Sequence, residues 1–148
     1  FLTISSLSAT QIKVAVAANV SYAINSLIEE FNTNNPNIQV VVILGSSGKL
    51  TAQISHGAPY DLFMSANMNY PNKLYEKKIA KNKPTVYALG SLALLSTKNL
   101  DLSKNLDILK NKKIKRVAIA NPKTAPYGIA AFEALKNANI LDEIKSKF

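Results

Sequence analysis

Ser46 and Ser47 are the residues whose type and position best suit them to bind a ligand. They lie in Gly45-Ser46-Ser47-Gly48, after the apolar, β-branched run of residues 38–44 and directly before a pattern with helical spacing. The first N–H groups of a helix have no internal partner, so they point outward with the positive end of the helix dipole. The junction therefore predicts either a serine that only caps the helix or a site for a small anion.

Two further junctions repeat this arrangement. Asn19 follows residues 12–18, whose β-branched and small side chains are typical of a strand buried on both faces. An amphipathic helix is predicted directly after it, at residues 20–33, which makes Asn19 the predicted N-cap of that helix. Tyr127 and Gly128 stand between a later predicted strand and helix. Three polar or small-residue junctions thus precede three helices.

The elements that must position these residues alternate along the chain. Strands are predicted at residues 12–18, 38–44 and 60–66, and helices at residues 20–33, about 48–56 and 70–78. Connections of that length join parallel strands and place helices on the faces of the sheet. The predicted fold class is therefore α/β.

The second half of the chain begins with an apolar run, Thr85–Thr97, that is interrupted at Gly90. A strand of that length with a central glycine is often one that bends or passes between two lobes. We therefore predict lobe one at residues 10–84, and a crossing strand with part of a second lobe at residues 85–148. Within the latter we expect a short helix at residues 102–110, a strand at 116–120 and a helix at 129–138.

Composition limits the classes of function. The sequence has no cysteine, which excludes disulfides and thiol chemistry, and its single histidine, His56, is predicted to lie at a helix C-terminus. The net charge of +9 comes from lysine, and the densest cluster, Lys110–Arg116, lacks the interleaved aromatic residues of a nucleic-acid surface. Asp61 has no acid or base beside it, which favours a structural hydrogen bond over catalysis.

The first nine residues are apolar or small and end in Ser-Leu-Ser-Ala. They look like the remnant of a secretory signal peptide with cleavage after Ala9, and the alternative is an ordinary first strand. No run of the sequence reaches the roughly 20 apolar residues that span a bilayer. We therefore expect an exported, soluble protein.

The order of the three junctions, with the segment Gly57-Ala58-Pro59-Tyr60-Asp61-Leu62-Phe63-Met64-Ser65-Ala66 between the last two, resembles the periplasmic molybdate-binding proteins, which are the solute receptors of ABC importers. The resemblance covers residues 12–141. It implies a periplasmic binding protein-like fold, with two lobes of mostly parallel sheets flanked by helices, that captures molybdate or tungstate between the lobes. By position it implies three oxyanion-binding residues. Ser47 would give its hydroxyl and backbone, Tyr127 its backbone N–H with or without its phenol, and Asn19 stands where serine is usual.

The resemblance also implies a monomeric periplasmic receptor rather than an enzyme. Its partners would be the oxyanion and a membrane ABC permease, with no nucleic acid and no cofactor. Molybdenum would be bound only as molybdate, through the same residues and without direct metal ligands. Members of the family continue well past the position of Phe148, so we expect a fragment truncated at both ends, with an incomplete second lobe.

Three alternatives remain open. The absence of carboxylates from the junctions disfavours hydrogen phosphate, whose O–H needs an acceptor, but it does not separate molybdate from sulfate. A phosphoryl-transfer enzyme would use residues 45–49 as a phosphate loop, although the spacing G-x-x-x-x-G-K-[ST] is absent. A nucleic-acid-binding module would use the lysine cluster at residues 110–116.

Overall fold

A computed structural model describes residues 10–148. The predicted signal-peptide remnant at residues 1–9 lies outside the described residues. The chain divides into two compact units, with the division between Thr85 and Val86. Within residues 10–148, none of the helices combines the length and apolar character that crossing a bilayer requires.

The first unit is built on a parallel sheet. Its strands are β1 (Thr10–Ala17), β2 (Ile38–Gly45) and β3 (Leu62–Met64), in the order β2-β1-β3. Since β1 has a neighbour on each side and helices flank the sheet, its last four residues are almost completely inaccessible to solvent, as the sequence predicted. The α/β class is confirmed.

Three helices follow the three strands of the first unit. They are α1 (Ile24–Asn34), α2 (Ser47–Ser55) and α3 (Asn69–Glu76). Valines of β1 pack with Val20 and Ile24 in one core cluster, whereas Leu50 of α2 and Leu74 of α3 are buried separately from it.

The second unit is helical in the part that forms regular structure. A 3-10 segment, Leu102–Lys110, is broken at Asn105, whose φ of 49° is not helical. Helix α4 (Pro126–Asn137), helix α5 (Leu141–Ile144) and a closing 3-10 turn (Lys145–Lys147) follow. Their core is formed by one cluster of buried residues, namely Ile108, Leu109, Leu135, Ile140 and Ile144.

The strands predicted at Thr85–Thr97 and at residues 116–120 are wrong, because the structure assigns neither segment to a sheet. A strand exists only where its backbone groups pair with a neighbour, and no sheet ladder reaches either segment in the part of the chain that the structure describes. Leu89 is 95% and Leu95 87% exposed. The apolar run that predicts a strand at residues 85–97 therefore corresponds to irregular chain.

Candidate functional site

The carboxyl ends of all three strands of the first unit lie at one edge of the sheet. Ala17, the last residue of β1, is level with Gly45 of β2, and Val16 is level with Met64 of β3. Three short segments therefore leave the sheet side by side: residues 18–19, 46–47 and 65–67. In parallel α/β sheets this edge is where ligands bind.

Ser46 and Ser47 have different roles. Ser46 is the N-cap of α2, and its Oγ accepts a hydrogen bond from the Lys49 N–H at 3.4 Å, so the capping prediction is confirmed for this residue. Ser47 is the first residue of the helix and is only 1% exposed. Its Oγ accepts the backbone N–H of Ala66 at 3.0 Å. That bond uses an acceptor position of the hydroxyl and leaves its proton to donate elsewhere.

The start of α2 also offers backbone donors. The first hydrogen bond inside the helix runs from the Leu50 N–H to the Ser46 carbonyl at 3.0 Å, so the N–H groups of Ser47 and Gly48 precede it. No acidic residue lies in the first turn. This end of the helix therefore combines a hydroxyl, two backbone donors and the positive end of the dipole without a carboxylate to neutralise them.

Asn19 lies at the same edge of the sheet, but it does not cap a helix. It occupies the middle of a 3-10 turn, Ala18–Val20, and α1 begins only at Ile24, with Ala23 as its N-cap. The predicted N-cap and the predicted helix start at residue 20 are therefore wrong. Backbone bonds of the turn, such as Ala23 N–H to the Val20 carbonyl at 2.9 Å, delay the helix. Asn19 is exposed.

The segment Ser65–Asn67 is a part of this edge that the sequence analysis missed. Ser65 is buried, Ala66 donates to Ser47, and the Asn67 N–H donates to the Ser65 Oγ at 3.4 Å. The Asn67 Oδ1 is buried and has no hydrogen-bond partner within residues 10–148. The available signal was the position of this segment after the third strand, since all parallel strands end at the same edge.

Tyr127, in the second unit, carries an unpaired backbone donor. It is the second residue of α4, which begins three residues earlier than predicted, with Pro126 in the first position. Proline has no N–H, and the N–H groups of Gly128 and Ile129 both donate to the Ala125 carbonyl, at 2.9 and 3.1 Å. Of the backbone N–H groups in this turn, the Tyr127 N–H alone has no partner within residues 10–148, so it is available to bind a ligand.

Asp61 and His56 have structural partners. The Asp61 Oδ2 accepts the Lys13 N–H at 2.7 Å while the Asp61 N–H donates to the Lys13 carbonyl at 2.9 Å, which extends the β1–β3 pairing by one position. His56 ends α2, as predicted, with Nδ1 at 2.7 Å from the Ala52 carbonyl oxygen. Residues 10–148 contain no cluster of three or more histidine, aspartate or glutamate side chains that could hold a metal ion.

Comparison with known proteins agrees with this architecture. The sequence pattern of the family described as bacterial extracellular solute-binding protein matches residues 12–148. The chain belongs to this bacterial extracellular solute-binding protein family. Among its relatives are the molybdate-binding protein ModA of Azotobacter vinelandii, 34% identical over 141 residues, and that of Rhodobacter capsulatus, 33% identical over 141 residues.

Solved structures related to this solute-binding protein have the same fold. The periplasmic molybdate-binding protein of Azotobacter vinelandii superposes with a TM-score of 0.72 at 28% identity, covering 91% of this chain and 58% of that one. A substrate-binding domain from Clostridium difficile, at 24% identity and a TM-score of 0.53, supports the fold alone. The alignments cover 94% and 95% of this chain but 55% of each ModA relative, so the chain spans about half the length of the curated relatives it matches.

Proposed function

We propose that the protein captures molybdate for import by an ABC transporter, and that it also binds tungstate at the same site. The observation that carries this proposal is the start of α2, where the buried Ser47 hydroxyl accepts the Ala66 N–H and lies beside backbone N–H groups that have no partner within residues 10–148. Asn19 at the same edge and the Tyr127 N–H in the second unit are the other proposed donors. The names of the ModA relatives support the choice of ligand.

Neutral donors suit a fully ionised tetrahedral oxyanion. Such an anion loses hydration when it binds, and each charge-assisted hydrogen bond returns on the order of 1.5–3 kcal/mol. The serine and asparagine side chains and the backbone N–H groups donate without bringing a counter-charge. Sulfate has the same charge and shape, so it is the alternative ligand within this proposal.

Transport rather than catalysis is proposed because the family binds solutes and because the polar groups of the site have no general base among them. Asp61 and His56, the nearest candidates by sequence, are engaged in structural bonds. The proposal therefore assigns no cofactor, a periplasmic location, a monomeric state, and a membrane permease as the protein partner.

Titration calorimetry of the full-length gene product against molybdate, tungstate, sulfate and phosphate tests the proposal. We expect tight binding of molybdate and tungstate, weaker binding of sulfate, and little binding of phosphate. Tight sulfate binding with weak molybdate binding would transfer the assignment to sulfate. Absence of binding to all four anions would refute an oxyanion receptor.

A pair of charge variants tests where the anion binds. Asn67→Asp adds a carboxylate at the edge where the strands end, and we expect it to weaken molybdate binding by about tenfold or more, since like charges repel strongly where water is scarce. Asn37→Asp is the matched control, because Asn37 is exposed and directly precedes β2, at the opposite edge. An eight-residue strand is roughly 26 Å long, well beyond the screening length of about 8 Å. Equal effects of the two variants would place the anion elsewhere.

A further inference from the structure

The phenol of Tyr127 lies directly against the backbone of Gly90. A Cβ atom at position 90 would overlap the Tyr127 Oη and would lie 3.2 Å from Cζ. The backbone of Gly90 does not itself require glycine, because its φ lies outside the left-handed region. Gly57 is the opposite case, with a φ of 88° and nothing within 4 Å of a Cβ. Glycine at position 90 therefore provides space and not a special conformation.

The backbone beside Tyr127 is fixed by a second close approach. A Cβ on Gly128 would overlap the Ala120 carbonyl oxygen and would lie 2.7 Å from the carbonyl carbon of Asn121. Because the obstacle there is backbone, a side chain at position 128 could not be accommodated by rotation. The backbone of Gly128, in the first turn of α4, thus packs against residues 120–121, while the ring of Tyr127 contacts Gly90.

Tyr87 also lies within the electrostatic range of Tyr127. Burial raises the pKa of the Tyr87 phenol above its ordinary value, and the charge of a Tyr127 phenolate raises it further. The interaction places the two phenols near each other in the second unit. The Tyr127 ring is therefore in contact with Gly90 and close to Tyr87.

We propose that Gly90 is a positioning residue for the Tyr127 donor: its bare Cα receives the phenol, and this contact sets the direction of the Tyr127 backbone N–H. In this arrangement the side chain of Tyr127 anchors the start of α4, and the N–H of the same residue, left free by Pro126 and by the bond of Gly128 to Ala125, meets the ligand. The inference rests on the proposed function for its effect on binding. The contact between the Tyr127 phenol and Gly90 involves residues of the second unit alone.

Three variants of the full-length gene product test the effect on binding. We expect Gly90→Ala to raise the Kd for molybdate by about tenfold, since its Cβ displaces the ring and with it the N–H. Tyr127→Phe is the reference for the double variant, whatever its own Kd. Adding Gly90→Ala to Tyr127→Phe should change the Kd by less than about threefold, because the oxygen that the Cβ would overlap is gone. An unchanged Kd in Gly90→Ala, or an equal loss when Gly90→Ala is added to Tyr127→Phe, would overturn the proposal.

A measurement without ligand separates this inference from the proposed function. In ¹³Cζ-tyrosine NMR titrations, burial, the larger cause of the raised pKa of Tyr87, should remain in Gly90→Ala, but we expect the variant to move the Tyr127 phenol away from Tyr87 and so to lower the pKa of Tyr87. Gly57→Ala, the control, should leave that pKa unchanged. If no anion binds the wild type but Gly90→Ala changes the pKa of Tyr87, the contact between the Tyr127 phenol and Gly90 is supported and the proposed function fails. If the pKa of Tyr87 does not change, this contact is refuted whatever the protein binds.

Folding provides the remaining check. Should Gly90→Ala not fold, the double variant with Tyr127→Phe is expected to recover a cooperative thermal transition, because the overlap with Oη is removed. Failure of the double variant to fold as well would show that Gly90 is required for another reason and would overturn the proposal.

Discussion

Ser47→Ala tests the site and the fold with one atom. The Ser47 Oγ is buried and accepts the Ala66 N–H at 3.0 Å, so alanine, which lacks only that oxygen, leaves the N–H without its acceptor. Loss of one partner of a buried hydrogen bond costs about 1–3 kcal/mol, and the half-buried position of Ala66 favours the lower part of that range. We expect the free energy of unfolding to fall by about 1–2 kcal/mol. In a unit of this size, each kcal/mol lowers the Tm by roughly 4–8 °C.

Amide hydrogen exchange is the sharpest assay for this variant, because it reports the Ala66 N–H itself. We expect faster exchange at Ala66, with the central strand β1 less affected. Ser46→Ala is the matched control. Its hydroxyl accepts only the Lys49 N–H at 3.4 Å in an exposed position, so about 0.5–1 kcal/mol of helix stability should be lost, and Ala66 should exchange as in the wild type.

The same pair of variants separates binding from stability. If the Ser47 hydroxyl donates to the anion, its removal should weaken molybdate binding by about 10- to 150-fold, the equivalent of about 1.5–3 kcal/mol, whereas Ser46→Ala should have little effect on the Kd. Unchanged exchange at Ala66 would refute the structural half of the reasoning. Equal losses of affinity in the two variants would refute the assignment of the ligand contact to Ser47.

Three other perturbations have defined outcomes. Asp61→Ala removes the 2.7 Å bond to the Lys13 N–H and should lower the free energy of unfolding by about 1–2 kcal/mol in urea titrations while leaving the molybdate Kd within about threefold; a large loss of affinity would contradict its structural role. Gly128→Ala should destabilise the second unit by about 1–3 kcal/mol, because the added carbon would lie 2.7 Å from the Asn121 carbonyl carbon; a neutral result in the same assay would show that this packing is wrong. The raised pKa of Tyr87 means that the folded chain keeps this proton to higher pH than the unfolded chain, so its contribution to stability is complete below pH 10.0 and is lost as pH rises above it. Tyr87→Phe should therefore reduce the alkaline decline of the unfolding free energy, and an identical decline in the variant would contradict the shift.

Much of the first unit follows from the sequence, because its signals are local. The β-branched run of residues 38–44 and the buried run ending at Ala17 predict two strands of a parallel sheet, and the helical spacing after each run identifies the crossovers. Serine before α2 is a strong capping signal, and Ser46 has that role. These features depend on neighbours within a few residues.

The errors arise where structure depends on distant partners. Whether residues 85–97 form a strand is decided by the presence of a pairing neighbour, which the composition of the segment does not encode. Asparagine is a good cap, which predicts Asn19 as the N-cap of α1, but Asn19 lies in a 3-10 turn and α1 begins only at Ile24. The hydrogen bond between the Ala66 N–H and the Ser47 Oγ joins residues that are 19 positions apart, so no local sequence pattern predicts it.

The position of β1 in the middle of the sheet has a consequence for the order of folding. Its register pairs Thr10 with Ile38 and Val14 with Leu62, so the strand that is buried most completely must find both of its neighbours far along the chain. Each correct pairing closes a long loop, and until β3 has paired, one edge of β1 remains available to wrong partners. Partly folded chains in which only β2 has paired are therefore the species in which aggregation should be most frequent, and β3, with only three residues, is the strand that covers this edge.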